Sequence, residues 1–441
     1  RHWVHRDGER TIHGWEKTDL KPMAAEPGMV DHSDVAPKLL LSTSPDWQAK
    51  SRWFYQVNED YGSFAADDDI RAKVAEITAG CRSDLDKISR LTHWVAEEIR
   101  YSGISMGEGE GFTLHRGTMT FVDRCGVCKD KAGMLITMLR AAGFESYPAM
   151  TMAGSRIDRI PADQFNHCVT IVKVGGKYTL LDPTWVPGVR ELWSSAEQQQ
   201  EYLMGLPEGA DLLSTPLSPA ADHFFRYRVQ GRLDARGNWR GEITLDAEGQ
   251  LDSTLRRVFT RKPKEAWNDT LADLWRRIHP AVEIERSTMS DPGDLDRPMH
   301  LAATLTIPGW ARLGDKHCYL TPVTARLPLL EGVGIPALST SPATRKYPFR
   351  TRSSQSLDIE ETLLLPAGLT LAAPLPLKEV TGSGADFRGR VEVIGNRLRV
   401  SAKLACKKRI YPATDWENVR SGLLEIRKIA DAVLVFDRGA K

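Results

Sequence analysis

The sequence has only six cysteines (Cys81, Cys125, Cys128, Cys168, Cys318 and Cys406) in 441 residues. That is too sparse for a disulfide framework to hold so long a chain. A charge excess is missing as well: 59 basic and 58 acidic residues leave a formal net charge of +1, and no long run of one sign stands out. The electrostatic footprint of a nucleic-acid binder is therefore absent, and partners are expected among proteins or small molecules. Long apolar runs are lacking too. The stretch from Met134 to Phe144 is broken by Arg140 and falls well below the ~20 residues that span a bilayer. No membrane span is expected. Internal repeats and low-complexity tracts are also missing. Arg1 is not an initiator Met, and residues 1–20 lack a charged-then-apolar signal pattern. This predicts that something upstream was removed, as in a mature secreted protein or a processed fragment.

What is present suits a multidomain globular protein. With 41% hydrophobic residues and roughly 100–200 residues per domain, about three cores are expected. Residues 1–66 are rich in Trp, Pro, Asp and Lys with little periodicity; they read as a remnant strand followed by an extended segment. From Asp67 the pattern turns helical, with Ile88, Leu91, Val95 and Ile99 on one face of a helix ending near Tyr101. After a glycine-rich loop at Gly107 to Gly111, a second helix carries the stripe Ala132, Leu135, Leu139 and Ala142, and Gly143 stops it. Cys128 stands where this helix begins. Strand patterns follow at Phe144 to Met152, His167 to Val174 and Lys177 to Leu181.

Helices followed by strands indicate an α+β domain over 67–206. A linker at Pro207 to Ala221 leads to two further segments. Residues 207–340 read as a small α+β or β-rich domain, with a helix showing Trp267, Leu271, Leu274, Trp275 and Ile278 on one face. Residues 341–441 read as a β-rich C-terminal domain, with a turn at Gly395-Asn396 and a helix opening at Thr414, where Glu417 three residues on makes a capping-box pattern.

The chemistry is concentrated between Cys128 and Asp182. A thiol is a good nucleophile only as thiolate, and the N-terminus of a helix favours that form through its free N–H groups and aligned dipoles. The hairpin gives a second, independent constraint. If Gly175 and Gly176 form a two-residue loop, Val174 pairs with Lys177, Val169 faces Asp182 and His167 faces Thr184. His167 and Asp182 then project from one face as diagonal neighbours, about 7–8 Å apart at the backbone and within side-chain reach. A hydrogen bond between them would fix the tautomer of His167 and stabilise its charged form. Other readings of the same residues stay open. Cys125 and Cys128 form a lone C-x-x-C that could be redox-active, or half of a zinc site with His167 and Cys168. His115, Asp123 and Arg124 read as solvated loop positions.

The run Arg124-Cys125-Gly126-Val127-Cys128-Lys129-Asp130-Lys131-Ala132, followed by Met138 to Phe144, resembles the nucleophile helix of transglutaminase-like proteins. Phe165-Asn166-His167-Cys168 resembles their histidine strand, and Leu181-Asp182-Pro183-Thr184 their aspartate strand. Three motifs in the family order are far more specific than any one alone. The resemblance implies a papain-like fold, a helix bearing Cys128 packed on an antiparallel sheet bearing His167 and Asp182, with β-rich flanking domains of unknown function. It is most similar to bacterial members exported to the periplasm of Gram-negative cells, with residues 1–66 as the tail of an N-terminal flanking β domain. It also implies a Cys-His-Asp triad performing amide acyl transfer through a thioester, on a protein or peptide substrate, without cofactor or metal. Hydrolysis is the expected outcome, because water is the default acceptor in an open site; cross-linking to an amine, or a scaffold that binds without turnover, are the alternatives. The backbone N–H of Cys128 should contribute to an oxyanion hole, and Tyr101 is a candidate second donor.

Overall fold

The computed structural model describes residues 1–102, 111–327 and 338–439. The glycine-rich loop expected at 107–111 lies, apart from Gly111, outside the described residues. The chain opens on an exposed hairpin of β1 (His2–Asp7) and β2 (Arg10–Trp15). Further on, where extended chain was expected, the structure has helix α1 (Trp47–Tyr61). Asp46 caps it by accepting from Ala49 N at 2.7 Å, and Gly62, at φ 73°, ends it. Hydrophobic periodicity could not reveal α1 because the face it buries is Lys50, Ser51, Phe54 and Asn58, only one of them apolar. The polar members are satisfied: Asn58 Oδ1 accepts from Leu114 N at 2.7 Å, and its amide donates to Phe54 O at 2.8 Å.

Four helices follow: α2 (Asp68–Thr78), α3 (Asp84–Glu98), α4 (Gly117–Asp123) and α5 (Cys128–Ala141). Helix α5 is the centre of the domain. All of its residues from Lys129 to Leu139 are buried, as befits a helix covered on every side. Met134, Leu135, Met138 and Leu139 pack on Ile70, Val74, Ile88, Leu91 and Val95 of α2 and α3. Ala132 and Ile136 pack the other way, on Phe54, Met150, Cys168 and Leu203. The sheet on that side comprises β3 (Ser146–Thr151), β4 (His167–Val174), β5 (Lys177–Leu181), β6 (Glu201–Met204) and β7 (Leu213–Ser214), in the order β5-β4-β3-β6-β7 with all neighbours antiparallel. Thr170 Oγ1 of β4 donates to Ala132 O of α5 at 3.1 Å and ties helix to sheet.

The rest of the chain builds a seven-stranded sheet from β8 (Phe224–Leu233), β9 (Trp239–Ala247), β10 (Glu283–Met289), β11 (His300–Ile307), β12 (Gln355–Leu364), β13 (Ala385–Ile394) and β14 (Arg397–Cys406), in the order β10-β11-β9-β8-β12-β14-β13. Burial alternates along β8 and β14, so one face is packed and the other meets solvent. Helices α6 (Gln250–Thr260), α7 (Trp267–Arg276) and α8 (Trp416–Ala430) supply Leu255, Phe259, Trp275, Trp416 and Leu423 to its core. The boundary drawn at 340/341 falls inside this sheet. Strand β8 pairs in parallel with β12, from Phe224 opposite Ser356 to Arg232 opposite Leu364, and one hydrophobic cluster runs from Phe225 to Phe436. The helix expected to open at Thr414 starts instead at Trp416, and the flanking Asp415 binds Ser383 and Lys408, each at 2.7 Å, rather than capping it. The fold is α+β throughout, and no helix among the described residues is long and apolar enough to cross a membrane.

The segment 190–200 joins the two units. Gln199 Oε1 accepts from the backbone N–H groups of Arg409 and Ile410 at 2.8 and 3.0 Å, and Arg409 donates back to Gln198 O at 3.1 Å. Phe54 tests whether α1 belongs to this core. Its ring is 1% exposed and abuts Gly205. Phe54→Ala should lower the stability of the helical domain by about 3–5 kcal/mol, measured as a drop in the urea midpoint of the transition that exposes α5.

Candidate active site

Cys128 is the first residue of α5, and a side chain one turn on holds that end of the helix in place. Asp130 Oδ2 accepts from Val127 N at 2.8 Å, the backbone N–H preceding the helix. Its other oxygen receives His115 Nδ1 at 2.8 Å. The carboxylate fits because position 126 is glycine: a Cβ there would lie 2.5 Å from Asp130 Cβ and 2.7 Å from Oδ2. His115 is 5% exposed, so the solvated-loop reading of this residue gives way to a buried partner of the helix start. Arg124 is likewise not free in solvent. It closes α4 at φ 51° with its guanidinium stacked over Trp94 and Phe121. Asp123 is exposed, as expected. Lys131, one turn into α5, donates to Ala96 O and Ile99 O at 2.9 and 2.7 Å and so satisfies the carbonyls at the end of α3.

His167 and Asp182 arrive from the hairpin. Val174 pairs with Lys177 and Thr170 with Leu181, the register that opposes Val169 to Asp182. Gly175 and Gly176 turn the chain at φ 57° and 81°, the two positive values that a type I′ loop needs. His167 Nε2 lies 2.9 Å from Asp182 Oδ2, and both residues are buried. The second Asp182 oxygen accepts from Thr184 N at 2.8 Å. With Nε2 committed to Asp182, Nδ1 is the ring nitrogen left for the Cys128 thiol.

Electrostatics follows this wiring. Burial alone would raise the Cys128 pKa, but the hydrogen bond to His167, the charge on that ring and the N–H groups of Cys168 and Lys129 bring it below the ordinary thiol value. Burial alone would depress the imidazole; the Asp182 carboxylate, the thiol and Glu197 together hold it well above its usual value. Both shifts favour a thiolate–imidazolium pair. Cys168, next in sequence to His167, is pushed the opposite way by burial and then by the charge of Cys128. A cleft of about 290 Å³ opens on the pair, lined by Phe54, Phe112, Val127, Cys128, Asn166 and His167.

Tyr101 stands beside this cleft on a short parallel bridge to Cys125-Gly126. At 55% exposure it is no core aromatic. Burial and then the negative charge on Cys128 raise its phenol, so hydroxyl and sulfur feel each other.

Two neighbours had no signal in the sequence. Glu197 comes from a single 3-10 turn, Ser195–Glu197, with Oε1 3.7 Å from His167 Nε2. Among the described residues neither of its oxygens receives a hydrogen bond. Burial and then the charge of Asp182 push its carboxyl well above the usual range, toward the neutral acid. Trp185 stands edge-on to the imidazole at 6.2 Å between ring centres. His167, Asp182 and Glu197 each offer one donor atom, all within 4.8 Å of one another, although a cation there would need the ring nitrogen that Asp182 holds. Neither Cys125 nor Cys168 joins that cluster, and all six thiols are free. The four-residue zinc arrangement weighed from the sequence is thus not assembled.

Residues 71–183 match the family model of the transglutaminase-like superfamily, and residues 328–436 match that of a domain of unknown function, DUF3858. No curated protein matches the chain. Among solved structures, a "putative protease" from Parabacteroides distasonis superposes with a TM-score of 0.61 at 14% identity, over 99% of this chain and 68% of that one. At that identity the likeness concerns the fold. A "putative cysteine protease" from Cytophaga hutchinsonii shares 19% identity over 30% of this chain and 43% of that one, with a TM-score of 0.23.

The opposed shifts have a direct chemical readout. A lowered thiol pKa with a raised imidazole pKa keeps more of Cys128 ionised than an ordinary thiol, so near neutral pH iodoacetamide should label it faster than the other five cysteines. In His167→Ala the burial penalty remains without its offset. Labelling at neutral pH should then fall and recover only as pH rises past the usual thiol range, as followed by peptide mass mapping.

Proposed function

Starting from a chain that carries a transglutaminase-like domain, we propose that it is a cysteine peptidase or amidase working through a thioester on Cys128. The observation that carries this reading is the joint placement of a depressed thiol at the first turn of a buried helix and an imidazole whose far nitrogen is held by a buried carboxylate. The thiolate attacks an amide carbonyl. His167 hands its proton to the leaving amine, the C–N bond breaks, and the acyl group remains on sulfur. Water, deprotonated by the now neutral imidazole, then releases the acid and regenerates the thiol.

Asp182 orients the ring and stabilises its charged form without taking the proton. The N–H of Cys128, in the first turn where no preceding helical carbonyl is available, is one oxyanion donor, and the Tyr101 hydroxyl is the second. The protease description of the Parabacteroides distasonis structure agrees with hydrolysis as the outcome. Open access to the cleft points the same way, since among the described residues lining it none singles out an amine acceptor. An exported, periplasmic setting accompanies this reading through the family resemblance.

Comparison of proteins treated with the wild type and with Cys128→Ala decides the reaction. New termini that depend on Cys128 are the expected result, whereas isopeptide links in their place would reassign it to cross-linking. Asp182→Asn should lower kcat by about 10²–10⁴-fold with little change in KM. Tyr101→Phe should lower kcat by about 10-fold if its hydroxyl meets the oxyanion; unchanged kcat would remove it from the site.

A further inference from the structure

Beyond Trp185 the molecule has a second hollow, of about 400 Å³, where the segment after Asp182 meets the C-terminal unit. Trp185 and Glu197 line one side of it, and Arg257, Arg350, Arg352 and Arg409 line the other. A neighbouring hollow of about 680 Å³ shares Arg257, Arg350 and Arg352 and adds Arg261. Among the described residues none of these five guanidinium groups has a carboxylate within 4.0 Å. Their hydrogen-bond partners are neutral carbonyls: Trp185 O for Arg257 at 3.5 Å, Gly154 O for Arg350, and Gln198 O for Arg409 at 3.1 Å.

Arg409 is 4% exposed, yet its Nε has no partner among the described residues. A buried charge left this way is costly unless something anionic joins it. The two acids in the wall act on the arginines only from beyond ion-pair distance, Glu197 on Arg409 and Glu191 on Arg257. Glu191 is pushed up to about 7, chiefly by burial, and Glu197 is held toward its neutral form. The cations also work against one another. Burial and then Arg352 and Arg261 depress Arg257; burial and then Arg350 bring Arg409 down to about 10. With the whole chain at a net charge of +1, this cluster is a local device rather than a reflection of overall charge.

Trp185, a wall of the hollow that stands edge-on to His167, connects it to the site of chemistry, while Glu197 approaches Nε2, the ring nitrogen that Asp182 holds. In amide acyl transfer the imidazole gives its proton to the leaving amine, so the departing part of the substrate lies on the imidazole side of the thiolate. Here that side leads past Trp185 to the arginines. We propose that the arginine cleft binds carboxylate groups on the leaving-group side of the substrate, making the enzyme selective for amide bonds followed by an acidic segment. Planar guanidinium groups pair with carboxylates through two parallel hydrogen bonds, and an anion there relieves the mutual repulsion of the cluster. The proposal rests on acyl transfer at Cys128 and adds to it the class of substrate.

Binding and turnover separate the two ideas. Fluorescence anisotropy with full-length Cys128→Ala protein compares labelled Gly-Gly-Glu-Glu-Glu with Gly-Gly-Gln-Gln-Gln. The acidic peptide should bind about 10-fold more tightly or better. Adding Arg257→Gln or the surface-exposed Arg352→Gln should each remove most of that difference, and Arg352→Glu should shift preference toward a Gly-Gly-Lys-Lys-Lys peptide. Equal affinities, no binding of either peptide, or a preference unchanged in the arginine variants with native circular dichroism would overturn the proposal. Turnover of fluorogenic forms of the same peptides by unmodified protein tests the underlying reading. Cleavage that persists in Cys128→Ala sinks thioester chemistry while leaving the anion site intact. Cys128-dependent cleavage without acidic preference does the reverse.

Discussion

One hydrogen bond sets the polarity of the candidate site, the 2.9 Å contact between His167 Nε2 and Asp182 Oδ2. Both groups are buried, so water cannot substitute for either partner and the low local dielectric strengthens the interaction. It assigns the ring nitrogens unequally, which is why the imidazole can face sulfur with one and a carboxylate with the other. It also fixes the chain beyond the hairpin. Asp182 N donates to Leu192 O at 2.8 Å and Asp182 Oδ1 accepts from Thr184 N, so the segment bearing Trp185 and Glu197 hangs from the same residue that orients the imidazole.

The other half of the site depends on how a helix can begin inside a protein. An N-terminus leaves several backbone N–H groups without helical partners, and the residue flanking the start of α5, Val127, has no side-chain acceptor to offer them. Asp130 satisfies the N–H of Val127, and His115 satisfies Asp130. This leaves the N–H of Lys129 free to act on the Cys128 sulfur, while those of Asp130 and Lys131 donate to Val127 O. A conventional Asp or Ser cap at position 127 would compete for those donors. The polar cluster therefore lies behind the helix start rather than across it, and Gly126 supplies the space.

These features were legible in the sequence to different degrees, for physical reasons. The β4-β5 hairpin could be derived residue by residue because two adjacent glycines fix the turn and strand periodicity does the rest; the observed pairs from Val174-Lys177 to Thr170-Leu181 follow that register. The position of Cys128 at a helix start could be read from the apolar stripe behind it. Helix α1 could not, because it buries Lys50, Ser51 and Asn58 beside a single phenylalanine. Nor could the parallel pairing of β8 with β12, whose partners are more than a hundred residues apart and whose local patterns suit either one sheet or two. His115 and Glu197 were hidden for a third reason. A polar side chain in a loop looks the same in sequence whether it meets solvent or a buried partner, and only the tertiary fold decides.

The C-terminal unit consequently has more than a supporting relation to the chemistry. The family match to the transglutaminase-like domain ends at residue 183, before Trp185 and, fourteen residues on, Glu197, which both approach the imidazole. The chain just after Glu197 is also tied to the other unit: Gln199 bridges the backbone of Arg409 and Ile410, and Arg409 reaches back to Gln198. Glu197 thus sits two residues from a cross-unit clamp and within a few ångströms of His167. Orientation of the imidazole is set next to the hairpin by Asp182, whereas Arg350, Arg352 and Arg409 in the hollow beyond Trp185 come from the second unit.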